Sequence, residues 1–263
     1  MAFEMGLSDD KKLLVKETIK QGIRYKLQSF HSNKIYMPFH NLLLGKDIMA
    51  LFSFIHSLNT TFNYSIYEPV AVLLASGRFK VAKYRKQPHN QISKTALHMI
   101  QNILDELTVA KRTPDREAEF AQINAVSRIS PIVKIRPSLV DIWLEDSNEN
   151  KYLIKIKSIK PSFVGLMELK HRLLKWVAQE FYINPDAKIY TLIGIPYNPK
   201  HPKPYEKWWM SGLFDTKVDV LVGNELWDFI GGDGAYLDLL DCFEQAGIEL
   251  QPEINKYFAK FIN

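Results

Sequence analysis

Asp141, Lys155 and Lys157 fall on two short runs in which apolar and polar residues alternate. Val140, Ile142 and Leu144 alternate with Asp141, Trp143 and Glu145, and a second alternating run covers Tyr152 to Lys157. Residues two apart on a strand face the same side, so Asp141 shares a face with Trp143 while Lys155 shares one with Lys157. Ile154 and Ile156 are left for the core. The polar segment Asp146-Ser147-Asn148-Glu149-Asn150 between the runs reads as a turn, and together they predict a β-hairpin. An acidic residue on the first strand, with an acidic residue and a lysine two apart on the second, is the arrangement that holds a divalent ion against a scissile phosphate. The lysine then steadies the attacking water or the developing phosphorane charge, and a basic surface holds the polyanion.

The elements that must position this hairpin are also legible. Helical spacing of apolar residues predicts helices over about 10–28, 46–58, 66–76, 92–110 and 115–127, the last entered through Thr113-Pro114-Asp115. After the hairpin, Pro161 precedes an amphipathic helix at about 164–182, and the apolar run Ile189 to Ile195 reads as a buried strand. A proline-rich aromatic segment at about 196–212 predicts an ordered surface loop, either docked through Trp208 and Trp209 or reaching DNA with Lys200, Lys203 and Lys207. A short strand at about 218–222 and helices at about 224–230, 235–246 and 251–261 complete the chain. The reading is of a helical N-terminal region, 1–130, belonging to the same globular unit as a core over 131–263.

The 263 residues, 46% hydrophobic and 24% charged, suit a folded chain with a sizeable core. No run of about 18 apolar residues occurs and the start lacks a secretory pattern, so a cytoplasmic location without membrane association is expected. The single cysteine, Cys242, rules out an internal disulfide and a cysteine-based zinc site and reads as a buried small hydrophobe. Seven scattered histidines show no metal-ligand spacing. A net charge of +5 permits a polyanionic partner.

The hairpin resembles the core of the PD-(D/E)xK nuclease superfamily, with Asp141 as the first carboxylate and Lys157 as the final lysine. More closely, Tyr152 to Pro161 (YLIKIKSIKP), Gly165 to Trp176, Ala187 to Pro199, Met210 to Asp215, and Ser65 to Glu68 upstream resemble the TdeIII-type restriction endonucleases over most of the chain. The resemblance implies an α/β restriction-endonuclease-like fold, a small mixed sheet flanked by helices with a helical N-terminal region. It implies a type II enzyme that uses Mg²⁺ to hydrolyse double-stranded DNA at a short, near-palindromic site of the GGNCC kind. A homodimer matches a two-fold site, and a cognate methyltransferase would act on that site without stable binding.

Two departures from that pattern stand out. Pro137 lies four residues before Asp141 rather than next to it. At the position two before Lys157, where the pattern calls for Asp or Glu, this chain has Lys155. An ammonium within a few ångströms of a divalent ion repels it by on the order of several kcal/mol at an effective dielectric of about 20. Three explanations are open: an inactivated form that binds DNA without cutting, a second carboxylate supplied by Glu168 one helix later, or the participation of Glu68. The catalytic candidates are therefore Asp141, Lys155, Lys157, Glu168 and Glu68, with Asp141 and Glu168 as metal ligands. Lys160, Lys170, Arg172, Lys175 and Lys203 are candidate DNA contacts. A non-cleaving DNA-binding protein with a relic site, and a repair or transposition nuclease, are the alternative functions.

Overall fold

The computed structural model describes residues 6–30, 37–136, 138–158 and 160–259. The chain divides into two compact units, Ala75–Ile230 and a second formed by 1–74 with 231–263. This division differs from the expected 1–130 and 131–263. The helices over about 92–127 pack in the sheet unit, while the last helix belongs with the first ones. Pro137 lies outside the described residues.

The strands are β1 (Val81–Lys86), β2 (Gln91–Ser93), β3 (Ile132–Lys134), β4 (Val140–Glu145), β5 (Lys151–Ile156), β6 (Ile189–Ile195) and β7 (Val220–Val222). The α-helices are α1 (Asp9–Ser29), α2 (Pro38–Phe62), α3 (Glu68–Ala75), α4 (Lys94–Thr108), α5 (Arg116–Val126), α6 (Phe163–Ile183), α7 (Asn224–Gly231) and α8 (Ala235–Phe258).

In the sheet unit, five strands are ordered β1-β4-β5-β6-β7, with β1, β4 and β5 antiparallel and β5, β6 and β7 parallel. The expected hairpin is β4 and β5, registered Ile142 to Ile154 and Leu144 to Tyr152. Asp146 closes its turn by accepting the backbone N–H groups of Asn148 and Asn150, both at 2.9 Å on Oδ1. α6 carries the chain back from β5 to β6, as a parallel pairing requires. Its start is set by Ser162, whose hydroxyl accepts the Gly165 N–H at 3.2 Å. The core packs α4, α5 and α6 on one sheet face, around Ile100, Ile103, Trp143, Leu153, Trp176 and Ile193.

Strands β1 to β3 lie where the sequence reads as helical or unstructured. β1 is an edge strand with one hydrogen-bonded neighbour and half-exposed or exposed side chains throughout, so its VAKYRK carries no apolar alternation. Its charge is typical of a guarded edge. At the other end, α8 runs unbroken through Pro252, which sits on an exposed face, where one lost hydrogen bond leaves the packed face intact.

One buried charge cluster lies in this unit. Lys170, 4% exposed, contacts the fully buried Glu119 at 2.6 Å, and Arg116 lies 3.6 Å from buried Asp219. Burial raises the Asp219 carboxyl from 3.8 to about 6, against the opposing pull of Lys170 and Arg116. A carboxyl whose pKa is higher folded than unfolded binds its proton more tightly in the fold. Its favourable contribution is complete below pH 3.8 and is lost as pH rises to about 6. Asp219→Asn is expected to remove up to about 3 kcal/mol of this dependence. Unfolding curves of parent and variant between about pH 4 and pH 7 read the difference directly.

In the helical unit, α1 packs on α8 with Lys16 and Lys20 both on Glu249, at 2.7 and 2.5 Å, and Arg24 on Glu253 at 2.7 Å. No helix among the described residues is long and apolar enough to cross a membrane.

Candidate functional site

Asp141 and Lys155 stand opposite each other one step beyond the Ile142–Ile154 pair of the β4–β5 ladder. Their side chains meet: Lys155 Nζ lies 2.5 Å from Asp141 Oδ1. The other carboxylate oxygen accepts the backbone N–H of Ile156 at 2.9 Å. Asp141 is buried, 6% exposed, and is thus held at both oxygens by β5 itself. Its strand is anchored from behind, where the Trp176 indole N–H lies within hydrogen-bonding distance of the Ser138 carbonyl (3.0 Å) and hydroxyl (2.8 Å).

Lys157 follows at the end of β5, and its backbone N–H donates to the Gly194 carbonyl at 2.9 Å. Gly194 is required here, because a Cβ would lie 2.9 Å from a Leu226 methyl and 3.0 Å from Ile156 Cδ1. Burial pushes the Lys157 ammonium down, the charges of Lys155 and Arg172 push it further, and Asp141 and Glu168 partly offset this. Lys175 is lowered by burial and by Arg172, and His171 by burial and by Lys175. Lys155, Lys157, Arg172 and Lys175 are thus half-buried cations, of which Lys157 and Lys175 are lowered by like charge beside them. An incoming phosphate relieves that mutual repulsion.

The structure therefore brings together Asp141, Lys155 and Lys157, with Glu168 and Arg172 in electrostatic reach of Lys157. Helical spacing explains the set: Glu168, Arg172 and Lys175 share one face of α6. Lys170 does not belong with them. It falls in the stripe of Leu166, Leu169, Leu173 and Val177, all buried, and its ammonium is taken by Glu119. The expectation that Lys170 contacts DNA is corrected on that ground, since a phosphate would have to open a buried ion pair. The apolar stripe around Lys170 was the sequence signal for this. Glu68, 5% exposed, lies on α3 in the helical unit.

Past Lys157, the cavity lined by Ser158, Lys160, Pro161, Tyr205 and Trp209 measures about 70 Å³. Lys160 is exposed, with its ammonium 5.3 Å from the Trp208 ring centre and 5.2 Å from that of Trp209. The proline-rich loop is packed on the core along part of its length and exposed elsewhere. Tyr205 and Trp209 pack on the core and Lys207 is pinned by the Val220 carbonyl and Glu225, whereas Trp208 is 68% exposed and Lys203 is exposed. Trp208 was not singled out as a partner of Lys160. A tryptophan beside a run of prolines and lysines is the signal that pointed there.

The donor set does not fit a divalent ion. Such an ion needs several hard oxygen ligands, and among the described residues no group of three or more His, Cys, Asp or Glu is placed to hold one. Asp141 spends one oxygen on a backbone amide and the other on an ammonium. Lys155 supplies positive charge at the place where a second carboxylate would complete the site.

Comparison with known proteins bears on this arrangement. A family model described as "Type II restriction endonuclease, HinfI" matches residues 7–247. The type II restriction enzyme MjaII of Methanocaldococcus jannaschii is 28% identical over 222 residues, covering 75% of this chain and 58% of that relative, so the chain spans under two thirds of MjaII. Type II restriction enzymes HgiEI and HgiCII of Herpetosiphon aurantiacus are 24% and 22% identical, covering 90% and 88% of this chain and 86% and 88% of their own lengths. The class agrees with the resemblance drawn from the hairpin, and the family model that matches is the HinfI one. With a mixed sheet flanked by helices and a match over nearly its whole length, the chain belongs to the HinfI family of type II restriction endonucleases.

Proposed function

We propose that this chain binds double-stranded DNA at the end of β5, at a short near-palindromic site, and that Lys155 holds its phosphodiester hydrolysis off. The observation that carries the reading is the 2.5 Å contact between Lys155 and Asp141 at a rim of crowded cations, in a chain of a restriction endonuclease family. Lys157, Arg172 and Lys175 supply phosphate contacts, and exposed Lys160 at the cavity and Lys203 on the proline-rich loop extend the basic surface. Asp141 stays oriented by the Ile156 amide, neutralised by Lys155. In the restored form, with an acidic residue at 155, Mg²⁺ would be the cofactor, and a methyltransferase acting on the same sequence would protect the host site.

A binding measurement with product analysis tests this. A duplex of about 20 base pairs carrying GGNCC, and a scrambled duplex, are titrated with the parent protein in EDTA and in Mg²⁺. The expected result is binding that falls steeply with salt, equal in EDTA and Mg²⁺, with the DNA left intact. Discrete Mg²⁺-dependent fragments from the parent would show that another carboxylate, Glu168 first, completes the site. Absence of any duplex binding would remove the DNA reading.

A further inference from the structure

Trp208 stands apart from the other tryptophans of the chain. Trp143, Trp176 and Trp227 are buried and Trp209 packs half-buried against the core, whereas Trp208 is 68% exposed. Its backbone is fixed on both sides. The Lys207 ammonium is tied to the Val220 carbonyl at 2.8 Å and to Glu225 at 2.9 Å, and Met210 is buried. The Trp208 carbonyl accepts the Ser211 N–H at 3.1 Å and the Ser211 hydroxyl at 2.6 Å. The side chain is oriented as well: Lys200, 3.0 Å away, and the Trp208 indole N–H together hold the Glu206 carboxyl below its usual range. A tryptophan ordinarily turns its apolar body inward and keeps only its N–H for a polar partner. Here the polar edge is engaged while the ring is held out in water, which leaves a flat apolar face uncovered on a rigid support.

We propose that Trp208 is a stacking platform for a nucleobase displaced from the bound duplex, with Lys157 and Lys160 taking the adjoining phosphate. The assignment rests on DNA binding at the end of β5. Lys157 and Lys160 line one cavity, and the Lys160 ammonium lies 5.3 Å from the Trp208 ring centre. A strand whose phosphate meets these two cations therefore brings a base to the indole. Every base has a π-face, and an aromatic side chain set beside cations is how unstacked bases are held. In an intact duplex both faces of each base already lie on its neighbours. An indole reaches a base only where one leaves the stack, and the stacking gained on Trp208 offsets part of that opening. A peptide partner would need an apolar surround for the ring, but Lys200 and Lys203 of the same loop are exposed beside it. The two kinds of contact separate cleanly: Lys160 acts on charge that every nucleotide carries, and Trp208 acts only on a base out of the stack.

A duplex of about 20 base pairs with 2-aminopurine at its centre, either paired with thymine or set opposite an abasic site, tests the proposal. Both duplexes are titrated in EDTA with the parent, Trp208→Ala, Trp208→Phe and Lys160→Ala. The parent is expected to bind the unpaired duplex at least about 10-fold more tightly than the paired one, since no base has to be opened, and to quench its 2-aminopurine emission. Trp208→Ala should lose both the preference and the quenching, and Trp208→Phe should keep part of each. Lys160→Ala should weaken the two duplexes alike and lower the salt slope by about 1. Equal affinity of the parent for the two duplexes, or a preference that survives in Trp208→Ala, would overturn the proposal and leave DNA binding standing. A parent that binds neither duplex would remove the DNA reading and the proposal with it.

Discussion

Replacing Lys170 by methionine is expected to lower the stability of the fold by about 3–5 kcal/mol while leaving DNA affinity of the folded protein unchanged. Lys170 is 4% exposed, pairs with the fully buried Glu119 at 2.6 Å and acts electrostatically on Asp219, 4% exposed. Without its ammonium, Glu119 loses its ion-pair partner in the interior, while Asp219 keeps Arg116 at 3.6 Å. Leaving a charge buried and uncompensated is what makes the breaking of such a pair costly, far more than the pair itself stabilises. The double variant Lys170→Met with Glu119→Leu is therefore expected to recover most of the loss, since it removes both charges from the interior. Urea unfolding of the three proteins measures this. Equal stability of Lys170→Met and parent would mean that water reaches the cluster and Lys170 is not confined to it.

Exchanging Lys155 for glutamate is expected to raise Mg²⁺-dependent cleavage of unmethylated DNA by at least about 1000-fold over the parent. The change removes the ammonium from Asp141 Oδ1 and sets a second carboxylate beside the first on the same sheet face. Lys155→Asp should act in the same direction, with a shorter reach. Lys155→Ala is the control, because it removes the cation without supplying an oxygen and is expected to gain little. Adding Asp141→Ala to the glutamate variant should abolish the cutting, and adding Glu168→Ala should leave it nearly unchanged. A large loss from Glu168→Ala would place the second ligand on α6 instead.

Much of this site was legible in the sequence, because strand periodicity is a direct consequence of backbone geometry. Alternation placed Asp141, Lys155 and Lys157 on one side of a hairpin, and the unbroken apolar run marked β6 as Ile189–Ile195, a strand covered on both faces. The contact between Asp141 and Lys155 was not legible, since it depends on the register of β4 against β5, which the turn at Asp146 fixes. β1 was hidden for a different reason. An edge strand exposes its side chains, so Lys83 and Arg85 erase the pattern that would reveal it. Lys170 was misplaced because charge was weighed above position: the leucines around it lie on the buried face of α6, and the lysine goes with them.

Saturable Mn²⁺ binding, measured by electron paramagnetic resonance on the parent and on Lys155→Glu without DNA, bears most directly on the role of Lys155. The ion pair at Asp141 predicts no saturable site in the parent and one ion per chain in the variant. Equal binding of one ion by both proteins would contradict it, showing that Lys155 does not keep the metal out.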